Sequence, residues 1–310
     1  MSYNENGSTP HRLTELEKIL REASKDKDPA RLAGRVLDIT QLYFDTLLPD
    51  RSSPGYYKPK PSDKETMETL LSIGAKLIPT VTKKRDMDLK GIRQGLRDIS
   101  KGLLTRDINR GPNSRYLDQM LGEDKERFVE AFYATAKKAL SGVKIDTIVY
   151  IASGGLEPAL LIKDIKPNAE LVPLRYSNYK RGDYTPMPPG YMTESDLSKK
   201  IHGKRVIIID DDIDSGRSMI VTLQRISKFN PSKLYCGAVM GLKPEEYISV
   251  WSESKRDLLS SHIETLASSD TVKFNLDHKS DRRRPYIYSV KQESIPAEAE
   301  LVNPWDAIED

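Results

Sequence analysis

Val206-Ile207-Ile208-Ile209-Asp210-Asp211-Asp212-Ile213-Asp214-Ser215-Gly216-Arg217-Ser218 joins four apolar residues to four aspartates and a loop of small residues. A continuous apolar run this short predicts a buried parallel strand, and such a strand delivers its C-terminal end to the mouth of the sheet, where α/β folds bind ligands. The loop with Ser215, Gly216 and Ser218 then opens a helix, whose first N–H groups lack intrahelical partners and favour an anion. The carboxylates just upstream cannot bind that anion; they suit hydroxyl groups or a divalent cation. Phosphate at one end and vicinal hydroxyls with a metal at the other describe a ribose 5-phosphate.

Three other readings compete for the same residues. Asp residues before a helix act as N-caps, but four exceed what a cap needs. A calcium loop requires Gly at its sixth position and Glu at its twelfth; counted from Asp210 these are Ser215 and Val221. An aspartyl phosphatase would use Asp210 as nucleophile and Asp212 as acid, a spacing that matches but leaves Gly216, Arg217 and Ser218 without a role.

Outward from this stretch, strands and helices alternate. Residues 147–152 and 171–174 predict strands, 158–165 a helix, 176–200 a long polar loop, 206–209 a strand, 218–229 a helix and 234–240 another strand. That alternation predicts a parallel sheet covered on both faces. Residues 245–266 are read as an amphipathic helix, the stretch to Arg284 as a basic excursion, 285–290 as a late strand, and 301–305 as apolar enough to pack back.

The first 120 residues read differently. A polar tail (1–10) precedes helical patterns at 13–48, 62–79 and 86–104, with a proline-punctuated linker at 54–61; 123–140 is a further amphipathic helix. Lys90, Arg93, Arg97 and Lys101 form a basic stripe of the kind that is usually a solvated face. The division expected is a helical extension over 1–120 and an α/β domain over 121–310.

Composition narrows the classes. The 310 residues carry 49 Lys+Arg against 46 Asp+Glu, a net +3, so whole-chain charge demands neither nucleic acid nor a membrane surface. One cysteine excludes an intrachain disulfide framework and a cysteine zinc cluster. No apolar run reaches the length of a membrane span and the start lacks a signal-peptide core, which predicts a cytoplasmic protein.

Asp210 to Ser218 resembles the PRPP-binding motif of the type I phosphoribosyltransferases, with Asp212 standing where that family has an aliphatic residue. Ala152-Ser153-Gly154-Gly155-Leu156 resembles the diphosphate loop of its xanthine–guanine-type members, without their arginine. Lys243-Pro244 and Pro304-Trp305-Asp306 are similar to their base-binding segments. The resemblance covers about 143–244 and the last few residues.

It implies a fold of α/β class with a parallel sheet, and transfer of a 5-phosphoribosyl group from PRPP to a nitrogenous base, a purine by its nearest members, with release of diphosphate. Position by position it implies Asp210 and Asp211 on the ribose hydroxyls and on Mg²⁺. Asp214, Ser215, Gly216, Arg217 and Ser218 wrap the 5-phosphate, with Asp214 also the acid/base partner of the base. Ser153, Gly154 and Gly155 face the diphosphate, Lys243 and Trp305 the base. Tyr176, Ser177, Tyr179, Lys180 and Arg181 fall where the family carries a hood over the site. PRPP and a nucleobase are then the partners, with room for a homo-oligomer. The alternative is a non-catalytic PRPP-sensing regulator whose helical extension binds nucleic acid or protein, motivated by the basic stripe and Arg282 to Arg284.

Overall fold

The computed structural model describes residues 19–47, 60–83, 89–103, 125–152, 154–176, 186, 188–213, 217–241, 263–268 and 284–290. Helices α1 (Pro29–Thr46), α2 (Pro61–Thr82), α3 (Lys90–Leu103) and α4 (Lys125–Ala139) come first. Then follow β1 (Thr147–Ala152), α5 (Leu156–Ile165), β2 (Glu170–Arg175), α6 (Glu194–Ile201), β3 (Arg205–Ile213), α7 (Arg217–Ser227), β4 (Lys233–Gly241), β5 (Ile263–Ser268) and β6 (Arg284–Val290).

The sheet runs β2-β1-β3-β4-β6-β5. Its first four strands are parallel; β6 is antiparallel to β4, and β5 to β6. Strand alternation sorts the core into two layers. Ile148, Tyr150, Ala152, Ile207 and Ile209 face a cluster shared with helices α1 to α5. Val149, Ile151, Val206 and Ile208 face a second cluster with Leu197 and Ile201 of α6 and Leu223 and Ile226 of α7.

The first cluster crosses the boundary expected at residue 120. Leu32, Val36, Ile39 and Phe44 of α1 and Met67, Leu70 and Leu77 of α2 are buried in it together with Leu156 and Leu160 of α5. Polar ties accompany the burial. Tyr43 Oη donates to Asp63 Oδ1 at 2.8 Å, and Asp63 Oδ2 accepts the Lys60 N–H, which locks α1 to the first turn of α2. Asp164 of α5 pairs with Lys83 at the end of α2 and accepts from Tyr133 Oη of α4 at 2.6 Å. Burial and the Asp164 carboxylate both push the Tyr133 phenol up from its ordinary pKa.

Three expectations are corrected. The helical stretch from 13 to 48 is interrupted: residues 24–28 leave the helix, and α1 restarts where Asp28 accepts the Ala30 N–H with Pro29 in the first turn. The polar stretch 176–200 is not all loop, because Thr193 and Asp196 form a reciprocal capping box that starts α6. Residues 263–268 are strand rather than the end of a helix, stabilised by pairing with β6. The sheet is mostly parallel, as expected, with an antiparallel edge formed by β6 and β5. Among the described residues, no helix is long and apolar enough to cross a membrane.

Candidate functional site

The chain leaves β1 for β2 on one side and leaves β3 for β4 on the other, while β1 and β3 are neighbours. Strand order reverses between them, so a crevice opens outside their C-terminal ends, where doubly wound sheets bind ligands. Helices α5 and α7 start at these same ends, and the partial positive charge of both N-termini faces the crevice.

Val206 to Ile209 are fully buried, and the burial carries on to Asp210, which is 5% exposed. Asp210 Oδ1 accepts the Asp211 N–H at 3.0 Å, and its Oδ2 accepts Ser218 Oγ–H at 2.9 Å from the first turn of α7. Burial, and then the neighbouring Asp211 charge, push the Asp210 carboxyl well above the usual carboxylate range. Asp211 is half-buried.

The glycines after β1 are required by close approach. A Cβ on Gly154 would fall on the Asp211 carboxylate, so the loop after β1 touches an acid of β3. A Cβ on Gly155 would collide with the Ile209 carbonyl oxygen and lie 2.9 Å from that of Ile151. Gly155 N–H also donates to the Ile151 carbonyl at 2.9 Å, turning the chain straight into α5.

Arg175 was not singled out from the sequence. It ends β2 in register with Ala152, and its Nη1 donates to the Ala152 carbonyl at 3.0 Å. A guanidinium thus stands beside the loop that lacks the family's arginine. Its only sequence signal was a cation directly after an apolar strand; the β1–β2 register supplies the rest.

Tyr176 is buried at 7% exposure in the second apolar cluster, rather than presenting its ring at the surface. Arg217 begins α7. Ser153, Ser177, Tyr179, Lys180, Arg181, Asp214, Ser215, Gly216, Lys243 and Trp305 lie outside the described residues. In the basic stripe, Arg93 Nε donates to the Asp26 carbonyl at 2.9 Å, so that guanidinium serves the packing of α3. A groove of about 500 Å³ lies elsewhere, between α2 and β2, lined by residues including Lys64, Glu68, Leu171 and Tyr191.

Among the described residues no group of three or more His, Cys, Asp or Glu is placed to hold a metal ion. Among the described residues the half-buried Asp211 carboxylate is a hard donor at the crevice. That set fits Mg²⁺, which is held by one or two carboxylates together with substrate phosphates and water.

The family model for the phosphoribosyl transferase domain matches residues 123–265. No curated protein matches the chain. Among solved structures, a purine phosphoribosyltransferase from Pyrococcus horikoshii Ot3 is 27% identical over 36% of this chain and 69% of that one, with a TM-score of 0.30. A hypothetical protein from Neisseria gonorrhoeae with bound ppGpp is 21% identical over 36% and 64%, with a TM-score of 0.28. A hypoxanthine-guanine phosphoribosyltransferase from Bacillus anthracis is 16% identical over 54% and 94%, with a TM-score of 0.29.

Proposed function

We propose that this chain, whose residues 123–265 belong to the phosphoribosyl transferase domain family, transfers the 5-phosphoribosyl group of PRPP to a purine base and releases diphosphate. The observation that carries the reading is the contact between Gly154 and the Asp211 carboxylate. It brings an amide-rich loop suited to diphosphate against an acid suited to ribose hydroxyls, at the point where strand order reverses.

In this reading Asp211 accepts hydrogen bonds from the ribose hydroxyls. Asp214 to Ser218, the stretch of sequence that leads into α7, take the 5-phosphate on N–H and hydroxyl donors. The amides at Gly154 and Gly155, with the Arg175 guanidinium nearby, stabilise charge that grows on the departing diphosphate. Mg²⁺ held by Asp211 and the substrate would supply charge neutralisation of that leaving group. Asp214 holds or releases the proton on the base, and Lys243 and Trp305 position the base. Such a chain would serve nucleotide salvage in the cytoplasm.

The test is incubation of the full chain with Mg²⁺, PRPP and a panel of purine and pyrimidine bases, reading diphosphate release. Release with purines supports the reading. PRPP binding without release for any base would replace it with the sensor alternative.

A further inference from the structure

We propose that the groove between α2 and β2 is a second ligand site and that it takes a small organic anion with an apolar body. Two lysines without a carboxylate partner stand at one end of an apolar channel there. The groove is separate from the crevice. Helix α5 spans ten residues, about 15 Å, from its first turn at the crevice to its last turn at the groove. The site stands or falls without the transferase reading.

The shape comes from a gap in the packing. Strand β2 is an edge strand, and its Leu171 and Pro173 share the face that packs on the first apolar cluster. Helix α2 covers that face only in part. About 500 Å³ is left between Leu71 and Ala75 of the helix and Leu171 and Pro173 of the strand. That volume lies within the roughly 300–1,000 Å³ of small-molecule sites. From Lys64 to Lys76, which both line the groove, α2 rises about 18 Å. A peptide strand is a poor occupant. Glu170 N–H donates to the Asp146 carbonyl on the β1 side, so Leu171 and Pro173 turn their backbone groups outward, and Pro173 has no N–H to offer an added strand.

The charges in the groove are unequal. Glu68 stands 3.9 Å from Lys64, Glu170 pairs with Lys200, and Asp164 pairs with Lys83. Lys76 and Lys163 are left over, and neither has a carboxylate partner among the described residues. Lys163 Nζ donates to the carbonyls of Pro167 and Ala169, each at 2.6 Å, and burial pulls its pKa down. Both lysines follow the point where Gly74 of α2 sits against Leu160 of α5, so the surplus positive charge gathers at one end. A hydroxyl is also left without a partner. Tyr150 is in register with Pro173 and lies on the same face of the sheet. Its Oη is buried with no hydrogen-bond partner among the described residues, and burial and the nearby Tyr191 push its pKa up. A buried hydroxyl ordinarily has a partner, and an acceptor oxygen lodged beside Tyr191, which lines the groove, would supply one.

The experiment measures by calorimetry the binding of anilinonaphthalene sulfonate, an aromatic body with one anionic group, and of the uncharged N-phenylnaphthylamine, which has the same body. The full chain is used as wild type, Ser72→Trp, Lys76→Glu and Lys204→Glu, with thermal melts to show that each is folded. The sulfonate should bind at one site per chain, about tenfold more tightly than the amine or better. Ser72→Trp, which places an indole in the groove from an exposed position, should abolish binding of both. Lys76→Glu should weaken the sulfonate by about tenfold or more and leave the amine unchanged. Lys204→Glu makes the same change of charge at an exposed position outside the groove and should alter neither. Saturating Mg²⁺-PRPP should not displace the sulfonate. No binding, equal affinity for the two probes, binding that survives Ser72→Trp, or displacement by PRPP would overturn the proposal. If Ser72→Trp fails to fold, Lys76→Glu against Lys204→Glu carries the comparison, and equal losses in those two would overturn it. A wild type that binds the sulfonate but not PRPP removes the transferase reading and leaves this site standing.

Discussion

The Cβ that Gly74 lacks would lie 2.8 Å from Leu160 Cδ1, so helix α2 of the extension is seated directly on helix α5, which leads out of the loop after β1. Both residues are buried, and Leu160 is 1% exposed. The boundary near residue 120 divides the sequence, but the burial crosses it. A chain beginning near 113 would expose Leu156, Leu160 and Tyr150 to water, and burying each such side chain is worth about 1.5–3 kcal/mol. That chain should aggregate or bind a hydrophobic dye and melt without cooperativity. Gly74→Trp in the full chain should lower Tm and PRPP affinity together, since displacing α5 moves the loop before it. A truncated chain with a sharp melt and normal PRPP binding would show that the extension is separable.

Gly154 and Gly155 make different demands although they are adjacent. The neighbour of a Cβ on Gly154 is the Asp211 side chain, which can rotate away and take its acceptor with it. The neighbours of a Cβ on Gly155 are the carbonyl oxygens of Ile209 and Ile151, which belong to strands and cannot. Gly154→Ala should therefore lose PRPP affinity by about tenfold or more at nearly unchanged Tm. Gly155→Ala should lower Tm by several degrees, with a ΔΔG of about 1–3 kcal/mol from overpacking. Thermal melts and PRPP titrations on the two variants separate the outcomes; equal Tm losses would sink the distinction.

The strands at the crevice were legible because their burial is complete. Val149 to Ile151 and Val206 to Ile209 have helices on both faces, so the apolar run is unbroken and its end is marked by the first carboxylate. Asp210 was not legible as a core residue. An aspartate at a strand end reads as a ligand, and only the packing of β3 between β1 and β4 encloses it. Helix α6 is faint in the sequence because only Leu197 and Ile201 are buried in it, and its one clear signal is the capping pair Thr193 and Asp196. Strand β5 could not be read from Ile263 to Ser268 alone, since its partner β6 begins some fifteen residues later in sequence. Arg175 needed the register with Ala152 before its cation had a neighbour.

Asp146 and Arg205 tie the turn before β1 to the first residue of β3. Arg205 donates from Nε at 2.8 Å, from Nη2 at 2.9 Å and from its backbone N–H at 3.0 Å to the Asp146 carboxylate. The Arg205 side-chain bonds, partly offset by burial, hold the Asp146 pKa down at about 2. A carboxyl whose pKa is lower folded than unfolded adds stability above its unfolded pKa, near 4. That contribution is lost as pH falls through the folded value. The wild type should lose denaturation free energy from about pH 4 towards pH 2. Asp146→Asn should start lower at pH 7 and fall less over that interval. Parallel curves for the two proteins, from urea melts at matched ionic strength, would remove the pair from the account.

In the proposed reading, Asp214 separates an enzyme from a sensor. A carboxylate in a loop that takes a 5-phosphate repels that phosphate, and both groups are anionic at pH 7. A protein that only sensed PRPP would bind it more tightly with a neutral residue there. An enzyme gains by keeping the carboxylate, because a positioned acid/base group on the base contributes roughly 10²–10⁴-fold to the rate. Asp214→Asn should therefore bind PRPP as well as the wild type or better, while diphosphate release with purines falls by about that factor. The repulsion is also screened by salt, so the affinity gain of Asp214→Asn should shrink as ionic strength rises, whereas the loss of turnover should not. PRPP titrations and steady-state rates at low and high salt read both quantities on the same two proteins. A wild type without turnover, in which Asp214→Asn changes affinity alone, would move the chain from transferase to sensor.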